Sequence, residues 1–166
     1  PPRYAASLAS GKSEGRNRPV SELARIHGFR ILTERGLQTR TGPNRDQAPD
    51  PAEVSELRTA GIQGLTDPDA LVRRCAAEAL GAWRDAGNVQ PLLDALAAAD
   101  REDTHLVYVL RKALRDQLND DAIFREVAAR PLSARDARAI ADVAVAVKSE
   151  PAGSFLIKHR QSFVDD

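Results

Sequence analysis

The sequence predicts an all-α chain of stacked helical hairpins, and three observations carry that prediction. Residues 67–81, Asp-Pro-Asp-Ala-Leu-Val-Arg-Arg-Cys-Ala-Ala-Glu-Ala-Leu-Gly, read as a helix-starting turn followed by one two-sided helix. Aromatic residues make up only 4% of the chain, and no β-branched or aromatic run reads as a strand. The apolar pattern also repeats: a shift of 34 residues lays Val72, Ala76, Ala79 and Leu80 on Leu106, Leu110, Ala113 and Leu114. Self-similarity at a few tens of residues signals hairpins that bury one another's apolar faces.

The elements follow in order. Residues 1–19 form an N-terminal extension: an apolar patch, Tyr4 to Ala9, then the breaker-rich loop Gly11 to Pro19. The repeat domain covers 20–166. Ser21 starts an amphipathic helix through Leu23, Ala24, Ile26, Ile31 and Leu32 that ends near Gly36. A shift of 48 residues maps Ala24, Gly28, Ile31 and Leu32 onto Val72, Ala76, Ala79 and Leu80, the longer spacing being taken up by an inserted loop. That exposed loop spans 38–51, with Gly42, Pro43 and Pro49 and no apolar period.

Asp50-Pro51 opens the next helix, whose buried positions are Val54, Leu57, Ile62 and Leu65. It pairs with the 67–81 unit. There Asp67 is placed to cap, Pro68 sits where a missing N–H costs nothing, and Asp69 sets negative charge against the helix dipole. Leu71, Val72, Cys75, Ala76, Ala79 and Leu80 supply its apolar side, and Gly81 loosens its exit. A short helix follows over Asn88 to Leu96, then a longer one from Asp103-Thr104 with Leu106, Val109, Leu110, Ala113, Leu114 and Leu118 on one side. Further helices fill 120–130, 133–147 and 150–163, separated at Pro131 and near Pro151.

Composition excludes several function classes. Lys plus Arg and Asp plus Glu both total 24 in 166 residues, so no long-range field favours nucleic acid or an anionic membrane. No apolar stretch approaches the ~20 residues needed to span a bilayer. Cys75 is the single cysteine, which rules out an internal disulfide and the paired-cysteine metal and haem motifs. It reads as a small buried apolar residue. The chain opens on Pro1-Pro2 and contains no methionine, which suggests a processed product or a segment of a larger multidomain protein.

Asp67-Pro68-Asp69, Val72-Arg73 and Ala76-Ala77-Glu78-Ala79-Leu80-Gly81 resemble the heart of a HEAT repeat, with its turn aspartate and the arginine that begins its second helix. The resemblance covers roughly residues 20–120. It implies a HEAT-like α-α superhelix, a right-handed solenoid, working as a non-catalytic scaffold for protein–protein interaction. Asp103-Thr104-His105-Leu106, Leu110 to Arg115 and Phe124 to Ala128 are further similar to the HEAT segment of large secreted planctomycete-type membrane-bound dehydrogenase proteins, which carry a cytochrome c module. That likeness implies a spacer in a haem-containing redox protein, periplasmic or extracellular. This segment itself has no Cys-x-x-Cys-His motif and no methionine, so no haem of that kind is expected on it. HEAT-like enzymes, bilin lyases or DNA glycosylases, form a third alternative. Neutrality and few aromatics argue against the glycosylase, which needs a basic groove and stacking partners.

No catalytic residue, cofactor or metal site is readable. His27, His105 and His159 fall one per helix without a second ligand a turn away. No Gly-x-Ser-x-Gly elbow occurs, and Gly11-Lys12-Ser13 lacks the upstream glycine and strand of a phosphate loop. The candidate binding surface is a ridge on the second helices, Arg74, Glu78, Tyr108, Arg111, Lys112 and Arg115, mainly basic with one aromatic and suited to an acidic segment of a protein partner or of another module of the parent chain. The same positions also read as a solvated face with pairs such as Arg74 with Glu78, each worth ~0.3 kcal/mol. Trp83 reads either as an anchor on the surface or as a residue closing the core beside Leu92 and Leu93.

Overall fold

A computed structural model describes residues 2–9, 21–41 and 50–160. These form α1 (Pro2–Ala9), α2 (Glu22–Thr41), α3 (Pro51–Gly64), α4 (Ala70–Ala82), a short 3-10 turn (Ala86–Asn88), α5 (Val89–Ala98), α6 (Thr104–Leu118), α7 (Asp121–Ala128), α8 (Ala134–Ala144) and α9 (Glu150–His159). The chain is all-α, with no strand among the described residues. Within those residues no helix is long and apolar enough to cross a membrane. The loop expected over 11–19 and the 42–49 part of the loop expected over 38–51 lie outside the described residues.

Helix starts are set by short polar side chains. Ser21 accepts from the Ala24 N–H at 3.3 Å, Asp69 from Val72 at 2.8 Å and Asp103 from Leu106 at 3.0 Å. These caps are separated by the same 48 and 34 residues as the apolar repeat, so α2, α4 and α6 begin in register. Asp69, not Asp67, is therefore the cap of α4. Asp67 instead accepts from the Asp69 N–H at 2.9 Å and pairs with Arg25 of α2 at 3.1 Å, which ties the turn to the preceding helix.

Alternate helices pack in file, α4 lying between α2 and α6, and α8 following on α6. Val72, Ala76, Ala79, Leu80, Leu106, Leu110, Ala113 and Leu114 are all buried, and α3 and α5 cover α4 and α6 respectively. Burying a leucine contributes about 1.5–3 kcal/mol, so the leucines of this stripe add substantially to the fold's stability. Ile31, aligned with Ala79, is instead half exposed, because α4 is flanked by both α2 and α6 whereas α2 stands at the end of this file. Leu71 is also exposed: it shares the outer face of α4 with Glu78.

Both glycines expected to end helices are packing positions. A Cβ on Gly81 would lie 3.0 Å from the Ala113 Cα, so this residue lets α4 and α6 approach closely. Gly36 makes room for Trp83: a Cβ there would meet the indole Nε1 at 2.7 Å. Helix α2 therefore runs on through Thr41, past the expected loop start at 38. Trp83 is buried, and its Nε1–H donates to the Leu32 carbonyl at 2.9 Å, so it closes the core against α2. At the far end α7 meets α9 through an edge-on pair, Phe124 and Phe155, with centroids 5.7 Å apart. The N-terminal patch is α1, which packs on α2 and α3.

Candidate functional site

The buried stripe of α6 decides what the helix can show to solvent. Leu106, Val109, Leu110, Ala113, Leu114 and Gln117 face inward. At 3.6 residues per turn the remaining face carries Tyr108, Arg111, Lys112 and Arg115. These four line one cleft of about 180 Å³, closed on the far side by Asp142 and Val143 of α8 and by Ala146 just beyond it. Tyr108 is 64% exposed at its rim.

The cations here are held loosely. Arg111 lies 3.8 Å from Asp142, Lys112 is 2.8 Å from Asp116, and Arg115 is 3.4 Å from the same Asp116. Three cations thus share two carboxylates, leaving an excess of positive charge. Arg111, Lys112 and Arg115 each keep at least 40% of the side chain exposed. Such pairs are typically worth under about 1 kcal/mol, so an incoming carboxylate can replace them. The cleft can therefore bind anionic groups through charge-assisted donors, with the Tyr108 ring as an apolar contact and its hydroxyl as a further donor.

Arg74 and Glu78 do not belong to this cleft. Arg74 donates to Asp103, the cap of α6, at 2.6 Å, a partly buried link between α4 and α6, rather than to Glu78. The reason is packing: α4 and α6 approach closely at Gly81, and the Asp103 cap sits across from Arg74. Glu78 stays exposed on α4. Of the six residues expected on the ridge, four converge and two stand apart. Asp142, Val143 and Ala146 were missed because only the packing of α8 on α6 brings them in; no signal within 133–147 marks that side.

His27 and His105 are exposed on separate helices, and His159 stacks on Phe155 with ring centroids 4.4 Å apart. Among the described residues no three metal-ligating side chains come together. Cys75 is buried, and burial pushes its thiol pKa up. Glu78 reinforces that shift, and Arg30 works against it. No protein-family model, curated protein or solved structure matches the chain.

Proposed function

We propose that this chain is a HEAT-like stack of helical hairpins that serves as a non-catalytic interaction module and docks an acidic segment of a protein partner in the α6–α8 cleft. One observation carries the reading: Tyr108, Arg111, Lys112 and Arg115 line a single open cleft with only Asp142 of opposite charge among its walls. The recurrence of the Ser21, Asp69 and Asp103 caps and the serial packing of α2, α4, α6 and α8 support the repeat architecture behind it. In such a stack the second helices line one side, and a row of side chains on them is a natural track for an extended partner.

The test is binding of a fluorescent peptide rich in glutamate with one phenylalanine, followed by anisotropy. Binding is expected to weaken as salt rises, because exposed charges are screened over about 8–10 Å at physiological ionic strength. The triple variant Arg111→Glu, Lys112→Glu, Arg115→Glu should lose it while keeping the helical circular dichroism of the parent. Equal binding by parent and variant, or none by the parent, would overturn the proposal.

A further inference from the structure

A second, larger concavity lies on the other side of α6, reached through Leu106 and Leu110, which point ~200° away from Tyr108 and Lys112 around the helix. It is a groove of about 720 Å³ between α3 and α5, two helices that make little contact with each other. Its floor is Leu65, Leu106 and Leu110, and its walls are Ile62, Pro91 and Ala95. Its volume lies within the ~300–1,000 Å³ typical of occupied sites.

The polar groups around it have one dominant sign. Asp67, Asp94, Asp100 and Asp103 line the groove against a single base, Arg73. That base is occupied: its Nη1 donates to the carbonyls of Asp67 and Pro68 at 2.8 and 3.0 Å, which holds it against the turn. Asp67 and Asp103 are likewise committed, to Arg25 and Arg74. Asp94 and Asp100 are different. The Asp100 carboxylate accepts the Glu102 N–H at 3.0 Å, and the Asp94 carboxylate accepts from the exposed Gln90 amide at 3.1 Å and meets Arg135 at 2.9 Å in a pair more than half exposed on both sides. Screened by solvent, such a pair holds its carboxylate weakly. An anionic ligand would be repelled here. An apolar surface with cationic flanks would be matched on both counts.

We propose that this groove docks a helical segment of another protein, whose apolar side chains fill it and whose flanking lysines or arginines meet Asp94 and Asp100. The mode is a helix laid between two helices, with leucine-like anchors giving affinity and the carboxylates giving orientation. It is independent of the α6–α8 cleft, which takes the opposite charge.

The probe is a synthetic amphipathic peptide of about fifteen residues, long enough to hold a helix, built of leucine and lysine. Two controls replace every lysine by glutamate or every leucine by serine. Titration calorimetry should show the leucine–lysine peptide binding at least about tenfold more tightly than either control. The double variant Asp94→Asn, Asp100→Asn should weaken it by about five- to tenfold, as expected for the loss of two exposed charge contacts. Ala95→Trp, which fills the groove without changing charge, should weaken it comparably; thermal unfolding checks that both variants remain folded. Equal binding of the three peptides, or unchanged binding by either folded variant, would overturn the proposal. So would a parent chain that sediments as a dimer and becomes monomeric with Ala95→Trp, which would assign the groove to a second copy.

Discussion

Gln117 of α6 donates its side-chain amide to the Leu80 carbonyl of α4 across 2.7 Å. The same nitrogen reaches the Trp83 carbonyl at 3.0 Å, and the side-chain oxygen accepts the Asp85 N–H at 2.8 Å. Helix α4 ends at Ala82, where its last carbonyls have no partner within the helix. A fully buried glutamine from the next hairpin supplies one. Gln117→Leu roughly keeps the volume but strands the Leu80 carbonyl and the Asp85 N–H, while the Trp83 carbonyl still accepts from Asn88 at 2.9 Å. At about 1–3 kcal/mol for each buried group left unpaired, the loss should be roughly 2–4 kcal/mol. Urea unfolding should read it directly, with a fall in Tm of roughly 5–12 °C. A loss within experimental error would mean that water satisfies the end of α4.

Gly36 and Trp83 form a lock between α2 and α4. A methyl group on Gly36 would sit 2.7 Å from the indole Nε1, 2.8 Å from its Cδ1 and 2.9 Å from the Ala82 Cβ. Gly36→Ala should therefore displace the indole and break its bond to the Leu32 carbonyl. Overpacking of this kind costs about 1–3 kcal/mol, more than the ~1 kcal/mol that alanine contributes over glycine to an exposed helix interior. Trp83 is the chain's single tryptophan, so its fluorescence isolates the event. The emission maximum should shift to the red in the folded variant; an unshifted spectrum with raised stability would refute the lock.

How far the sequence carries these conclusions differs with the kind of interaction. Helices α3 to α9 were legible because apolar spacing and capping residues are local, and the register of α2, α4 and α6 followed from their repetition. The roles of Gly36, Gly81 and Gln117 were not, because each depends on which residue of a neighbouring helix lies opposite. Glycine reads as a terminator in isolation and as a point of close approach once Trp83 or Ala113 is placed against it. Arg74 shows the same limit: Glu78, four residues on, looks like its partner until Asp103 of α6 arrives 2.6 Å away. Four of the six ridge residues share a cleft because they share the outer face of one helix, which periodicity alone fixes.

Acid should weaken the fold through its caps. The Leu106 N–H and the Arg74 guanidinium hold the Asp103 carboxyl below its ordinary range, and the Val72 N–H does the same for Asp69. Burial alone would push Asp136 up, yet Ser133 and Arg135 outweigh it and leave that carboxyl low as well. Each folded pKa lies under its unfolded value, so the native state binds fewer protons than the unfolded chain. The stability they contribute is full above the ordinary aspartate value of about 4 and is lost as pH falls through the depressed native values. Urea midpoints between about pH 6 and pH 3 should fall accordingly. Asp103→Asn preserves a good cap but removes the titrating charge, so its acid dependence should be shallower. An unchanged slope would remove Asp103 from the account.

Cys75 should be close to inert in the folded chain. It lies on the packed face of α4 and is only 4% exposed. Burial there disfavours the thiolate, the nearby Glu78 carboxylate disfavours it further, and Arg30 offsets only part of this. A disulfide reagent needs both the thiolate and access, and the second requires α4 to separate from its neighbours. The native reaction at neutral pH should therefore run at least about a thousandfold slower than in the urea-unfolded chain, because opening of a packed core helix costs several kcal/mol. Gln117→Leu weakens the α4–α6 junction and should accelerate the reaction in step with its loss of stability. A native rate within about tenfold of the unfolded one would place Cys75 in a segment that opens readily, against the protection expected of a packed core helix.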